Sequence, residues 1–252
     1  MKFLNIIRYI ILNNKLNKIP YYLIKGLYYG IKKRGSDKII LRLFNNKQFY
    51  LFNDNPVSSF FTYTDIPDKK EISILRKEIN KVKNKDSLYF VDIGANIGSY
   101  TILLSDLTNN LIAFEPHPIS YQRLRMNLEL NGIDNKYIYN KAVGDSDEKV
   151  YFTDYGSSST INKISTKKTN LEVKQIKLDD VLSNFNGKEF LLKIDVEGLE
   201  MNVIRGMEKL IKENKIVGIL YETFDYEINK YLEINNFKIS KISKHNFYAR
   251  KN

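Results

Sequence analysis

The sequence predicts an α/β domain built on a mostly parallel sheet with helices on both faces. Three observations predict it. From residue 88 onward, short apolar runs alternate with helical patterns. The first of these runs ends in a glycine-rich turn and later ones end in acidic residues. The chain closes on a hairpin pattern. Alternating strands and helices imply right-handed crossovers and a parallel sheet, and a terminal hairpin adds an antiparallel strand to it. A chain of 252 residues, 43% of them hydrophobic, suits one such domain with a modest addition. The predicted division is an N-terminal helical and β-hairpin extension over 1–87 and the α/β domain over 88–252.

The elements follow in order. Residues 1–12 are apolar but interrupted by Asn5 and Arg8. Phe3, Ile6, Ile7, Ile10 and Ile11 fall at helical spacing, with Lys2, Asn5 and Arg8 on the other side. The stretch is too short to span a bilayer and has no small-residue cleavage site after it. A second apolar stretch, 21–31, mixes tyrosines and glycines with aliphatics. A helix docked on the domain or on a partner subunit is the main expectation for this region. Peripheral contact with a membrane surface through residues 1–31 is the second, so homo-oligomerisation and membrane contact both stay open. Residues 38–44 alternate apolar and polar, 45–47 turn and 48–52 return, which predicts a hairpin. Residues 54–68 read as an aromatic-rich loop. Ile72, Leu75, Ile79 and Val82 then mark an amphipathic helix over 69–82.

In the second part, 88–93 is a strand, followed by a helix from near Gly98 to about Leu107. A second strand over 111–114 ends at Glu115. Pro118 opens a helix that Asn131-Gly132 stops. Residues 137–143 form a third strand. Strand-like pieces at 149–153 and 171–177 flank a loop at 156–160, and 178–185 is a short helix. The fourth strand is 190–195, the helix after it 199–213, and the fifth strand 216–221. A helix near 225–235 and a hairpin of 237–242 with 246–250 complete the chain.

Ligands of such sheets sit outside the carboxyl ends of the strands, where the strand order reverses. Asp92, Gly94, Ala95, Asn96, Gly98, Glu115, Asp195, Glu197 and Glu222 therefore converge on one crevice. Glycine at 94 and 98 permits a tight strand-to-helix turn and a close backbone approach to a ligand. A dinucleotide fingerprint would want glycine at 96 and 99 as well, where Asn96 and Ser99 stand. The carboxylate of Asp92 suits a cofactor with a cationic amino-acid end. Glu115 ends the second strand, where an acid accepts both hydroxyls of a ribose. Asp195 and Glu197 have three open roles: holding the cofactor's amino-acid end, deprotonating an acceptor hydroxyl, or binding a divalent metal. His117 lines the ribose pocket or is exposed, and His245 belongs to the closing hairpin turn.

Composition excludes more than it assigns. There is no cysteine, hence no disulfide, thiolate catalysis or cysteine-ligated metal, which fits a cytoplasmic protein. A net charge of +11 permits an anionic partner, but the lysines are spread over every segment without a dense basic run.

Taken together, Val91-Asp92-Ile93-Gly94-Ala95-Asn96-Ile97-Gly98, Phe114-Glu115-Pro116, Ala142-Val143-Gly144 and Lys193-Ile194-Asp195-Val196-Glu197-Gly198-Leu199-Glu200 resemble the FkbM-type methyltransferase family. The resemblance covers about residues 88–222 well, 34–87 loosely, and does not extend to the first 33. It implies a class I methyltransferase fold on a Rossmann-like sheet, S-adenosylmethionine as methyl donor and O-methylation of a hydroxyl in a sugar, polyketide or related metabolite. It places Asp92, Gly94, Ala95, Asn96 and Gly98 at the methionine end, Glu115 with Pro116 at the ribose, Ala142 beside the adenine, and Asp195 and Glu197 near the sulfonium and acceptor. Asp195 is the expected base, with Glu197 or Glu222 as alternatives; no metal is assigned. His117 departs from the smaller polar residue expected there, and Asp145 resembles an adenine-contacting acid of other methyltransferases. The expected partner is a small-molecule or glycan hydroxyl acceptor. Two other functions compete. Nucleic-acid methylation is disfavoured, because the Asn/Asp-Pro-Pro-aromatic tetrapeptide of amine-directed enzymes and a cysteine nucleophile are both missing. A non-catalytic scaffold on the same fold would carry a degraded pocket.

Overall fold

Two helices, α1 (Phe3–Asn13) and α2 (Ile19–Lys32), open the computed structural model, joined by a short 3-10 turn at Leu16–Lys18. The structure describes residues 3–32, 35, 38–42, 44–64, 66–134, 136–152, 164–165, 171–223 and 226–252. The predicted hairpin forms from β1 (Lys38–Arg42) and β2 (Gln48–Phe52), with Lys38 opposite Phe52. The stretch expected to be a loop over 54–68 instead contains helix α3 (Pro56–Tyr63). Its start has a local cause: Asn55 accepts a hydrogen bond from the Ser58 N–H at 3.1 Å, and Pro56 occupies the first turn, where its missing N–H costs nothing. Helix α4 (Lys69–Lys81) buries Leu75 and Ile79 against Leu88, Phe90, Leu111 and Leu220, as its spacing predicts.

The sheet is built from β3 (Leu88–Ile93), β4 (Leu111–Phe114) and β5 (Ile138–Tyr139), with α5 (Ser99–Leu104) and α6 (Pro118–Leu130) as the crossovers. Here the expected third strand, 137–143, divides. Asn140 turns inward and donates to the carbonyls of Glu115 and Pro116, both at 2.8 Å. The chain therefore leaves the main sheet after Tyr139, and β6 (Ala142–Val143) pairs elsewhere. A side sheet in the order β6-β9-β7-β8 gathers β7 (Lys149–Phe152), β8 (Ile164–Ser165) and β9 (Leu171–Ile176). The 156–160 loop lies outside the described residues.

After α7 (Leu178–Leu182) come β10 (Glu189–Ile194), α8 (Glu200–Arg205) and α9 (Glu208–Lys212). A single helix over 199–213 is expected; Gly206 breaks it. A Cβ on Gly206 would stand 1.9 Å from the Gly144 carbonyl oxygen, so the chain passes there only as glycine. Asp179, at the start of α7, then caps α9 through space, accepting from the N–H groups of Lys209 and Leu210 at 3.0 Å each. Strand β11 (Ile216–Glu222), helix α10 (Glu227–Ile234) and the hairpin β12 (Phe237–Lys241) and β13 (Asn246–Lys251) finish the fold. The main sheet runs β12-β13-β11-β10-β3-β4-β5. Strands β11, β10, β3, β4 and β5 are parallel, and β13 is antiparallel to β11. The order reverses at β3, between β4 and β10, which is where a crevice must open at the carboxyl ends. Among the described residues no helix is long and apolar enough to cross a membrane.

Candidate active site

The crevice is a cavity of about 380 Å³ at that reversal, within the range of small-molecule sites. Its floor is the turn after β3. Gly94 has φ +77°, and a Cβ there would lie 1.9 Å from the carbonyl oxygen of Asp195, so the ends of β3 and β10 can touch only through a glycine. Asn96 is also left-handed (φ 52°) and is held on both sides. Its N–H donates to Glu115 Oε2 at 2.7 Å, and its side-chain oxygen accepts from Asn55 Nδ2 at 3.0 Å. Asn55 thus both caps α3 and ties the N-terminal part to this loop.

Glu115 sits at the end of β4, buried in the cavity wall. Its other oxygen accepts from the His117 N–H at 2.9 Å. Burial pushes its carboxyl up to about 7, against the pull of those backbone N–H groups and of Lys193. Beside it Pro116, Ala142, Val143 and Phe152 make an apolar slot.

From β10, the turn after Ile194 presents Asp195 and Glu197 to the cavity. Glu197 (φ 56°) and Gly198 (φ +100°) are both left-handed. Buried Glu200 fixes that turn, accepting from the N–H groups of Gly198 at 3.0 Å and Val196 at 3.3 Å.

Several expected residues lie elsewhere. Asp92 is fully buried behind the cavity wall, where its Oδ2 accepts from Thr101 N at 3.1 Å and Thr101 Oγ1 at 2.7 Å, capping α5. Gly98 does not line the cavity; its missing side chain leaves room for Leu124 of α6. Glu222 ends β11 outside the lining, half-buried, and burial, then Asp195 and Glu200, raise its carboxyl. His117 is buried but does not line the cavity, so the two options left for it both give way to a third. Asp145 accepts from Asn202 Nδ2 at 3.1 Å, away from the lining.

The structure also adds residues that the sequence left without a role. Lys193, on β10 beside Asp92, is buried, with its ammonium 3.5 Å from both Asp92 Oδ1 and Asp195 Oδ2. It donates to the Gly94 carbonyl at 3.0 Å. Burial lowers a lysine, but Asp195 and Asp92 outweigh it and hold Lys193 above the ordinary range, so it stays a cation. A signal existed: one charged residue inside each of two neighbouring apolar strands, Phe90-Val91-Asp92-Ile93 and Leu191-Leu192-Lys193-Ile194. The far wall comes from the N-terminal part: Tyr9, Val57, Phe60, Pro67 and Asp68. Asp68 is an exposed residue and accepts from the Tyr100 hydroxyl at 3.2 Å. No local signal marks Asp68, because tertiary packing alone brings it there.

Four lining carboxylates, Asp68, Glu115, Asp195 and Glu197, face two lining cations, Lys141 and Lys193. Among the described residues no cluster of three acidic or histidine side chains is placed to hold a metal ion.

A parallel sheet in this order with its cavity over the β3 reversal is the class I methyltransferase fold, whose methyl donor is S-adenosylmethionine. Residues 92–244 match the family described as the methyltransferase FkbM domain, and the chain belongs to that family. It is 27% identical over 180 residues to methyltransferase 1 of Beauveria bassiana, covering 59% of this chain and 72% of that protein. It is 27% identical over 149 residues to the hexuronic acid methyltransferase AglP of Haloferax volcanii, covering 58% of this chain and 60% of that protein. The tRNA (uracil-54, C5)-methyltransferase of Pyrococcus abyssi, solved with S-adenosyl-L-homocysteine, superimposes with a TM-score of 0.46 at 15% identity, over 86% of this chain and 44% of that one.

Proposed function

We propose that this methyltransferase acts on a hydroxyl oxygen, that of a sugar in a surface polysaccharide, glycolipid or related metabolite. The observation that carries the proposal is one cavity lined by two unlike sets of residues, which we read as a donor half and an acceptor half. The half made by Gly94, Ala95, Asn96, Glu115, Pro116 and Ala142 matches the needs of the donor: a close backbone approach, a buried carboxylate for ribose hydroxyls and an apolar slot for adenine. The excess of carboxylates over cations suits a cationic ligand. The other half is lined by Tyr9, Asp68, Tyr100 and Asp195, polar groups of the kind that hold a polyhydroxylated acceptor. The hexuronic acid specificity of the Haloferax relative supports a sugar.

Gly94, Ala95, Asn96, Glu115, Pro116 and Ala142 would hold S-adenosylmethionine, which would supply a methyl group on a positively charged sulfur for an acceptor oxygen and would leave as S-adenosylhomocysteine. The chain's task is placement, holding oxygen and methyl in line at about 3 Å. The hydroxyl proton passes to a carboxylate. Asp195 is our first assignment for it: it follows the end of β10 in the cavity wall, and Lys193 Nζ lies 3.5 Å from its Oδ2. Glu197 also lines the cavity, whereas Glu222 lies outside it. Asp68, on the opposite wall, is a further base that the N-terminal extension contributes. Asp92, Gly98 and Lys193 act as positioning residues that shape the loops.

The test is calorimetric titration with S-adenosylmethionine and S-adenosylhomocysteine, with NAD as control, followed by transfer of a labelled methyl group to uronic acids and other sugars. Micromolar adenosyl binding and labelled sugar are expected. Folded protein that binds neither adenosyl ligand would sink the assignment of the donor half. Donor binding with label only on non-sugar acceptors would sink the sugar.

A further inference from the structure

Helix α2 is apolar on two faces, and the fold covers only one of them. Tyr22 and Tyr29 are buried towards the body of the protein. Tyr21, Ile24, Leu27, Tyr28 and Ile31 recur at helical spacing on another side and are 54–71% exposed. On α1, which packs against α2, and in the turn after it, Ile11, Leu12 and Leu16 are likewise 47%, 72% and 79% exposed. These eight stand out against four scattered over all the other described residues, Ile40, Ile119, Tyr226 and Ile234. Exposed apolar side chains concentrated in one part of the fold in this way mark an interaction surface.

Charge identifies the partner. The first 36 residues carry eight lysines and arginines and not one aspartate or glutamate. A second copy of the chain is a poor match, because a two-fold interface sets the same patch against itself and would bring together helices that carry lysines and arginines but no carboxylate of their own. An apolar stripe on helices whose charged residues are all lysine and arginine fits a bilayer surface with anionic headgroups, the apolar side chains entering the acyl boundary and the exposed lysines staying at headgroup level. We infer that α1 and α2 dock this protein on an anionic membrane surface.

The docking helices are also part of the catalytic wall. Tyr9, two residues before Ile11 on α1, lines the cavity, as do Val57 and Phe60 of α3, the helix under α2. Docking therefore sets the acceptor half of the cavity beside the headgroups, which suits a sugar carried on a lipid. That consequence rests on the methyltransferase assignment above; docking itself does not.

The experiment is flotation of the full chain with vesicles of phosphatidylcholine alone and of phosphatidylcholine mixed with phosphatidylglycerol. Wild type is expected on the mixed vesicles and much less on the neutral ones. The Ile24→Asp, Leu27→Asp double variant, which changes only exposed side chains, should stay in solution. Lys15→Gln with Lys32→Gln should weaken binding to the mixed vesicles about 30-fold, at the usual contribution of one lysine near an anionic surface. Light scattering and S-adenosylhomocysteine titration of the same samples separate the alternatives. Failure to bind either vesicle, or binding undiminished in the aspartate variant, overturns docking. So does a wild-type dimer that the aspartate variant dissociates. Retained S-adenosylhomocysteine binding in those cases leaves the methyltransferase assignment standing.

Discussion

Lys193→Met tests how the two central strands are held together. The ammonium is almost wholly buried, the side chain being 6% exposed, and Asp92 beside it is 0% exposed. Methionine fills a similar volume, so packing is nearly kept and the charge alone is lost. Asp92 Oδ2 keeps both bonds from Thr101, but Oδ1 has no hydrogen-bond partner among the described residues and relies on Lys193 at 3.5 Å. Breaking a buried pair by removing one member costs about 3–5 kcal/mol, because the remaining charge stays buried. The contact to Asp195, whose side chain is 44% exposed, adds little to that cost, since solvent screens it. Equilibrium urea unfolding of the apo protein should register this loss. Asp92→Asn added to Lys193→Met removes the orphaned charge and should recover much of it, giving a coupling of about 1 kcal/mol or more. A single variant within about 1 kcal/mol of wild type, or strictly additive single and double variants, would refute the claim that Lys193 is there to neutralise Asp92.

Four further outcomes are expected. Glu115→Ala should weaken S-adenosylmethionine binding by about 1.5–3 kcal/mol, roughly 10- to 150-fold by calorimetry, as for hydrogen bonds lost to a charged group; unchanged affinity in folded protein would remove Glu115 from the site. Gly94→Ala sets a Cβ against the Asp195 carbonyl at a left-handed φ, and thermal and urea melts should show about 2 kcal/mol or more of destabilisation. Asp195→Asn should slow methyl transfer about 100-fold or more, as loss of the assigned general base does; a rate within a few-fold of wild type would move that role to Glu197 or Asp68. Apo stability has its own pH course. Glu115 has a folded value raised to about 7 from 4.5, so it binds its proton more tightly when folded. Its stabilising contribution is full below about pH 4.5 and is lost as pH rises through about 7. The melting temperature of the apo protein should fall across that window, and less so in Glu115→Gln.

Much of the sheet was legible in the sequence, because its signals are local. Strands β3, β4, β10 and β11 are short apolar runs that end in turns or acids, and Pro118 and Asn131-Gly132 bracket α6. The convergence of Gly94, Asn96, Glu115, Asp195 and Glu197 followed from topology, since strand ends of a parallel sheet share one side. Helix α3 was legible too, in Asn55-Pro56, but the aromatic run after it obscured the cap. What only the tertiary structure decided depends on groups far apart in the chain. Gly206 ends α8 because the Gly144 carbonyl passes there, and Asn140 divides a strand because it bonds back to Glu115 and Pro116. Asp92 carries the pattern of a ligand-binding acid, yet its carboxylate caps α5 and pairs with Lys193 across the β3–β10 ladder. Asp68 and Tyr9 reach the cavity from a segment whose pattern shows only amphipathic helices and loops. Periodicity reports which face of an element is apolar. Which buried carboxylate meets water, a cation or a cavity is fixed by neighbours that only folding brings together.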